Sequence, residues 1–236
     1  MITLLLATRN EHKVREIRDI LGEDFCYWTL NDFPGAPKVI EDAATFVGNA
    51  TKKAVELATW LSGIHHSKVK VKTGGHLFVL ADDSGLEVDA LNGAPGVYSA
   101  RFAALDTGKP GNSSDARNKA KLLRLLRDVP PAKRTARFRC AVALTPVIHA
   151  NKPATSPVCY LDQMEFQTEV LEGTCEGRIG FEPQGQGGFG YDPLFIPAGR
   201  RRTFAELPVI VKNRISHRAK ALQKLRWHVA ADVRRL

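Results

Sequence analysis

Several things are scarce in this chain. Four cysteines (Cys26, Cys140, Cys159, Cys175) are scattered through 236 residues with no Cys-x-x-Cys pair. That excludes a disulfide-stapled mini-fold and reads as free thiols in a reducing compartment. Those cysteines and the seven histidines show no zinc spacing. The apolar run Ile2–Ala7 is too short for a membrane span or a signal-peptide core, and no basic segment precedes it. Neither membrane insertion nor export is therefore expected, and the N-x-[ST] matches at Asn49 and Asn112 carry no glycosylation meaning. No internal repeat, low-complexity tract or long linker is visible, which excludes solenoids and widely separated domains.

What remains is an ordinary globular composition. Hydrophobic residues make up 44% and charged residues 25%, which excludes a disordered or fibrous chain. The length allows one large domain with a possible second lobe. Acidic residues are short at one end only. Residues 200–236 hold eleven Lys/Arg against Glu206 and Asp232, so the whole net charge of +9 falls there and the rest balances to zero. A basic C-terminal segment suits an anionic partner: nucleic acid, a membrane surface or a phosphorylated small molecule.

The pattern opens as strand, polar turn, helix: Ile2–Ala7, then Asn10–Leu21 with Val14, Ile17 and Leu21 at helical spacing. This is how an α/β fold begins. A second helix is predicted from Thr45 to about Leu61, with Phe46, Ala50, Ala54, Leu57 and Leu61 on one face. Ser62–Gly75 reads as an exposed excursion. Leu77–Ala81 reads as a strand ending at Asp82-Asp83, and Leu86–Leu91 alternates before an Asn92-Gly93 turn. A helix over Asp115–Arg127 would bury Leu122, Leu125 and Leu126. Ala136–Leu144, Phe166–Leu171 and Gly177–Phe181 read as strands, and His149–Pro157 as a loop. Asn213–Val233 reads as one basic helix with Ala219, Leu222, Leu225 and Val229 inward.

Three stretches carry chemistry. Gly185–Gly190 fits G-x-G-x-x-G literally, but Tyr191-Asp192-Pro193 follows, and the proline argues against the helix that a dinucleotide fingerprint needs. Phe189 and Tyr191 among those glycines suit stacking on a planar base. Thr8–Lys13, at a strand-to-helix turn, offers outward backbone amides, a helix N-terminus and the Lys13 ammonium to an anion, with Thr8 as an alternative N-cap. Adjacent carboxylates at Asp82-Asp83 repel each other, which is a poor choice for a merely structural turn. Oxygen ligands of this kind suit Mg²⁺ together with substrate phosphates.

Taken in order, ATRNEHK (7–13), TFVGNATKKA (45–54), ADDSGLEVDALNGAPGVYSARF (81–102), GGFGYDPLF (187–195) and KNRISHRAKAL (212–222) resemble the inosine triphosphate pyrophosphatase family over nearly the whole chain. The resemblance implies a single domain over 1–236: an elongated α/β fold with a long mixed sheet flanked by helices and two lobes around a nucleotide cleft. It implies a homodimer that uses Mg²⁺ to convert ITP, dITP and XTP to monophosphate and pyrophosphate. The free thiols and the lack of an export segment point to the cytoplasm, and neither a membrane nor a nucleic-acid partner is expected. By the same resemblance Thr8, Asn10 and Lys13 hold the phosphates. Glu41 and Asp83 ligate metal, Asp83 also accepts a proton, and Lys53 and Asp82 complete that site. Ser84 contacts substrate; Phe189, Gly190, Tyr191 and Asp192 form the base pocket; Lys212, His217 and Arg218 close on the purine. The alternatives are a pyrophosphatase for modified pyrimidine nucleotides and a nucleic-acid-binding protein using the basic terminus.

Two positions depart from the family pattern. Val211 stands where an acidic residue is usual, and Gly48 where Glu is common. With Thr45 as N-cap, position 48 completes a capping box, so Gly48→Glu is expected to stabilise the helix. The stretch 149–163 is also longer than usual for the family.

Overall fold

The structure, a computed structural model, describes residues 2–63, 76–108, 111–148, 165 and 167–232, the last seven as backbone only. The excursions expected at 62–75 and 149–163 lie outside the described residues apart from Ser62 and Gly63, as do Cys159 and the side chain of Val229.

The strands are β1 (Ile2–Leu6), β2 (Phe25–Thr29), β3 (Leu77–Val88), β4 (Thr135–Pro146), β5 (Glu169–Ile179) and β6 (Phe195–Pro197). They order as β2-β1-β3-β4-β5-β6. The sheet is mixed: β1 runs parallel to β2 and β3, and β5 antiparallel to β6. The helices are α1 (Glu11–Leu21), α2 (Phe46–Gly63), α3 (Asp115–Leu125), α4 (Val209–Ile215) and α5 (His217–Asp232). No described helix is long and apolar enough to cross a membrane.

The chain divides into two compact units. Unit 1 comprises 1–83, 141–172 and 221–236; unit 2 comprises 84–140 and 173–220. The long strands β3, β4 and β5 contribute residues to both.

In unit 1 the path leaves β1 in one direction to reach β2 and returns past it to reach β3. Right-handed crossovers of opposite direction put α1 and α2 on opposite faces of the sheet. Each helix buries one stripe: Ile17 and Leu21 on α1; Phe46, Ala50, Ala54, Leu57 and Leu61 on α2, as the spacing predicts. Leu4, Leu5 and Leu6 are fully buried between them. Each such side chain contributes about 1.5–3 kcal/mol by leaving water.

Unit 2 has its own core, built on Leu86, Val88, Leu122, Leu126, Phe138, Phe195 and Phe204. Buried Arg134 ties its edges together, donating to the carbonyls of Leu126 (2.7 Å), Ile179 (3.0 Å) and Gly180 (2.7 Å). At the expected turn, Asn92 takes a left-handed conformation (φ 52°) before Gly93 (φ 84°).

Several expectations change. The acid pair does not end a strand: β3 continues through it to Val88, and Asp83 is the last residue of the first of unit 1's three segments. The two strands expected around residues 166–181 are one, β5. Leu125 is 43% exposed, because α3 ends there and Leu126 turns inward instead. The C-terminal helix is two helices. Ser216 ends α4, its N–H donating to Lys212 O at 2.9 Å, and its Oγ then accepts from Ala219 N at 3.1 Å as N-cap of α5.

Candidate active site

In an open α/β sheet, ligands gather outside the strand ends where the crossovers diverge. In unit 1 that point lies between β1 and β3. Leu6 pairs with Leu80, and Ala7 N donates to Leu80 O at 2.8 Å. The turn after β1 therefore starts level with Asp82 and Asp83. Asn10, not Thr8, caps α1: its Oδ1 accepts from His12 N (2.9 Å) and Lys13 N (3.3 Å), while Thr8 Oγ1 accepts from Asn10 N (3.1 Å). Those two amides, expected to face an anion, are thus used locally, and Lys13 offers its ammonium.

Consecutive strand residues point to opposite faces, so Asp82 and Asp83 meet different helices. Asp82, 4% exposed, receives Lys13 Nζ at 3.1 Å from each carboxylate oxygen. Asp83, 7% exposed, accepts from Asn49 Nδ2 of α2 at 2.9 Å. Lys53, one helical turn further, donates to Asp82 O at 3.1 Å and pairs with Glu41 Oε1 at 2.7 Å. Burial raises the Asp83 pKa above the usual carboxylate value; Lys13, the Asn49 hydrogen bond and Lys53 oppose the rise, and Glu41 adds to it. Among the described residues, unit 1 thus brings Thr8, Asn10, Lys13, Glu41, Lys53, Asp82 and Asp83 into one connected cluster.

Gly48 has a reason of its own. Thr45 caps α2, accepting from Gly48 N at 3.0 Å. A Cβ at position 48, however, would lie 2.8 Å from Ala43 Cβ and 3.1 Å from Thr45 Oγ1. The bare α-carbon admits the loop carrying Glu41, and the stabilisation expected of Gly48→Glu gives way to an overlap.

Unit 2 gathers the other expected residues. Lys212 Nζ meets Asp192 Oδ2 at 2.6 Å, and the same oxygen accepts from Phe189 N at 2.9 Å. The Phe189 ring is half-buried, with Lys212 and Arg218 at 5.1 and 5.8 Å from its centroid. Arg218, 1% exposed, donates to Ser84 Oγ at 2.9 Å. His217 stacks on Phe138 at 4.7 Å. His217 and Arg218 open α5, where the helix dipole opposes cations. A buried arginine there works against stability, offset in part by the Ser84 hydrogen bond. Gly190 N donates to Asp115 Oδ2 at 2.6 Å.

Tyr191 is placed differently from the expectation of a stacking ring. It is 4% exposed and part of the unit 2 core, and its hydroxyl donates to Ser99 O at 3.0 Å. Burial raises its pKa further. Phe189 is left as the aromatic surface of this cluster. Sequence reasoning missed Asn49 and Asp115. Asn49 had one signal: with Lys53 at i+4 it puts two polar groups on an otherwise apolar stripe.

Residues 4–228 match the model of the Ham1 family. The chain is 44% identical over 222 residues to a dITP/XTP pyrophosphatase of Desulforamulus reducens, covering 94% of this chain and 92% of that one. It is 43% identical over 230 residues to a dITP/XTP pyrophosphatase of Geobacter sulfurreducens, covering 97% of each. Among solved structures, a HAM1 protein from Coxiella burnetii superposes with a TM-score of 0.72 at 34% identity, over 98% of this chain and 100% of the other. With a family match over nearly its whole length, relatives above 40% identity and the same fold, the chain belongs to the Ham1 family.

Proposed function

We propose that this protein is a nucleoside triphosphate pyrophosphohydrolase that removes deaminated purine nucleotides, taking dITP, ITP and XTP to monophosphate and pyrophosphate. The observation that carries the proposal is the Asp82–Asp83 pair braced by Lys13, Asn49 and Lys53, in a chain similar to curated dITP/XTP pyrophosphatases. Hydrolysis of a phosphoanhydride is governed by positioning and charge. Lys13 and Lys53 bring two ammonium groups to bear on a polyphosphate, and the Thr8–Asn10 turn shapes the approach.

A divalent cation fits the donor set. No group of three or more His, Cys, Asp or Glu able to hold a metal occurs among the described residues. Mg²⁺ asks for less: one or two carboxylates together with substrate phosphates. Glu41 and Asp83 are the residues that would hold it, Glu41 being among the charges that act on the Asp83 carboxyl. Such an ion supplies neutralisation of phosphate charge and acidifies water. Asp83 is then also the group within this cluster suited to accept a proton.

Base choice falls to unit 2. Phe189 offers a ring to any base. Lys212 and Arg218 are donors that reward a 6-oxo group and leave a 6-amino group unmatched, as in ATP, which is costly where water is excluded. The resemblance extends the proposal to a homodimer, and the scattered cysteines to action in the cytoplasm; light scattering gives the solution mass and tests the former.

The test is a substrate panel of dITP, ITP, XTP, dGTP, ATP and modified pyrimidine triphosphates with and without Mg²⁺, assayed for pyrophosphate. Magnesium-dependent pyrophosphate from dITP, ITP and XTP, with ATP at least about tenfold slower in kcat/KM, is expected. Release of orthophosphate instead, or a preference for pyrimidines, overturns the reading.

A further inference from the structure

Asn49 is 1% exposed on the apolar stripe of α2, beside Ala50 and one turn before Lys53. Asparagine is a poor helix former, and a buried carboxamide is costly unless both its ends are satisfied. Here both are. Nδ2 donates to Asp83 Oδ2 at 2.9 Å, and Oδ1 accepts from Ala43 N at 2.9 Å. Turning the amide over would break both bonds, so the two partners define its orientation.

Those partners belong to different segments: Asp83 to β3, Ala43 to the loop that carries Glu41 two residues earlier. Lys53 makes a parallel bridge between the same two segments, from Glu41 Oε1 to Asp82 O. Helix α2 therefore braces loop and strand at two levels, one turn apart. The two braces differ in charge. Lys53 brings a cation. Asn49 brings a neutral donor, which orients the Asp83 carboxylate without cancelling its charge.

We propose that Asn49 is the positioning residue that sets the Asp83 carboxylate against the Glu41 loop. This rests on the function proposed above. Only a side chain that donates at one end and accepts at the other makes both bonds from this position. An aspartate keeps the acceptor for Ala43 N and loses the donor for Asp83; a serine is too short to span both.

The experiment measures kcat and KM for dITP, with thermal unfolding, in the wild type, Asn49→Asp and Asn49→Ser. The expected result is a fall in kcat of about 10- to 100-fold, of the size seen when groups behind metal and catalytic ligands are removed. KM should stay within about threefold, because Asn49 meets the acid and not the substrate. Unfolding should remain cooperative. If the carboxylate introduced by Asn49→Asp prevents folding, Asn49→Ser decides, since it adds neither charge nor volume. A folded variant with kcat within about threefold of wild type, or one whose whole loss lies in KM, overturns the inference. So does a lowered melting temperature with unchanged kcat, which marks a purely structural bond. A wild type that releases no pyrophosphate from dITP overturns the proposed function and this inference with it; an active wild type beside an unchanged variant overturns the inference alone.

Discussion

Lys53 in the unit 1 cluster and Lys212 in the unit 2 cluster are held in opposite ways. In unit 1, Lys53 meets Glu41, whose side chain is 36% exposed, and a main-chain carbonyl. In unit 2, Lys212 and Asp192 are both inside, with side chains 7% and 4% exposed, and Asp192 also takes the Phe189 amide on the same oxygen. Water can solvate the Glu41 end of the first pair at modest cost. Opening the second strands a buried charge. On the proposed function, the Lys53–Glu41 pair is the one able to exchange partners for a polyanion, and the Lys212–Asp192 pair the one that keeps its shape beside a base.

The largest expected effect tests the exchanging side. Asp83→Asn keeps the volume and removes the charge at the centre of the unit 1 cluster. Turnover of dITP should fall at least about a thousandfold, or about 4 kcal/mol of barrier, with melting little changed. A variant that keeps more than about a tenth of the wild-type rate, a loss under about 1.4 kcal/mol, would show that chemistry does not run through this carboxylate.

The next effect compares the two lysines directly. Lys212→Met leaves Asp192 buried without its cation and should lower stability by about 3 kcal/mol or more in denaturant unfolding. Lys53→Met leaves Glu41 partly in water and should cost less than half as much, because a solvated partner loses little. Its turnover should fall all the same. Equal stability losses would break the contrast between the clusters.

The sequence made some of this legible and hid the rest for physical reasons. Stripes at helical spacing revealed α1 and α2, because one buried face imposes the period. The five-residue β2 and three-residue β6 are too short to impose any period, and neither was foreseen. The break at Ser216 was hidden inside a continuous helical pattern; only the capping chemistry of serine distinguishes it. The candidate residues were legible through their family resemblance, but their wiring was not. That Tyr191 turns into the core while Phe189 stays half-buried depends on Ser99, ninety-two residues away in the chain. That Asn49 meets Asp83 depends on two crossovers of opposite direction, which no local pattern encodes.

A smaller effect tests the reading side. Arg218 lies within reach of the Phe189 ring and of Ser84. If its donors reward a 6-oxo group, Arg218→Ala should narrow the ITP-to-ATP ratio of kcat/KM about tenfold, equal to about 1.4 kcal/mol. Phe189→Ala should weaken both substrates to a similar degree, since a ring stacks on any base. An Arg218→Ala variant that slows ITP and ATP equally would make the arginine a structural or phosphate contact.

The smallest effect measures how far the unit 1 loop can yield. Alanine is favoured over glycine inside a helix by about 1 kcal/mol. At position 48 that gain meets an overlap, since the new Cβ would lie 2.8 Å from Ala43 Cβ. Ala43 is not free to retreat, because its N–H donates to Asn49 Oδ1, which is itself tied to Asp83. Overpacking of this kind costs about 1–3 kcal/mol. The cost should win: Gly48→Ala should lose about 1 kcal/mol, seen as a fall of about 2–4 °C in melting temperature for a chain of this size. Gly48→Glu carries the same Cβ and should fall as well, despite completing the capping box. A rise in either variant would mean that the Glu41 loop moves aside without loss, placing the exchanging character of this cluster in the loop as well as in its ion pairs.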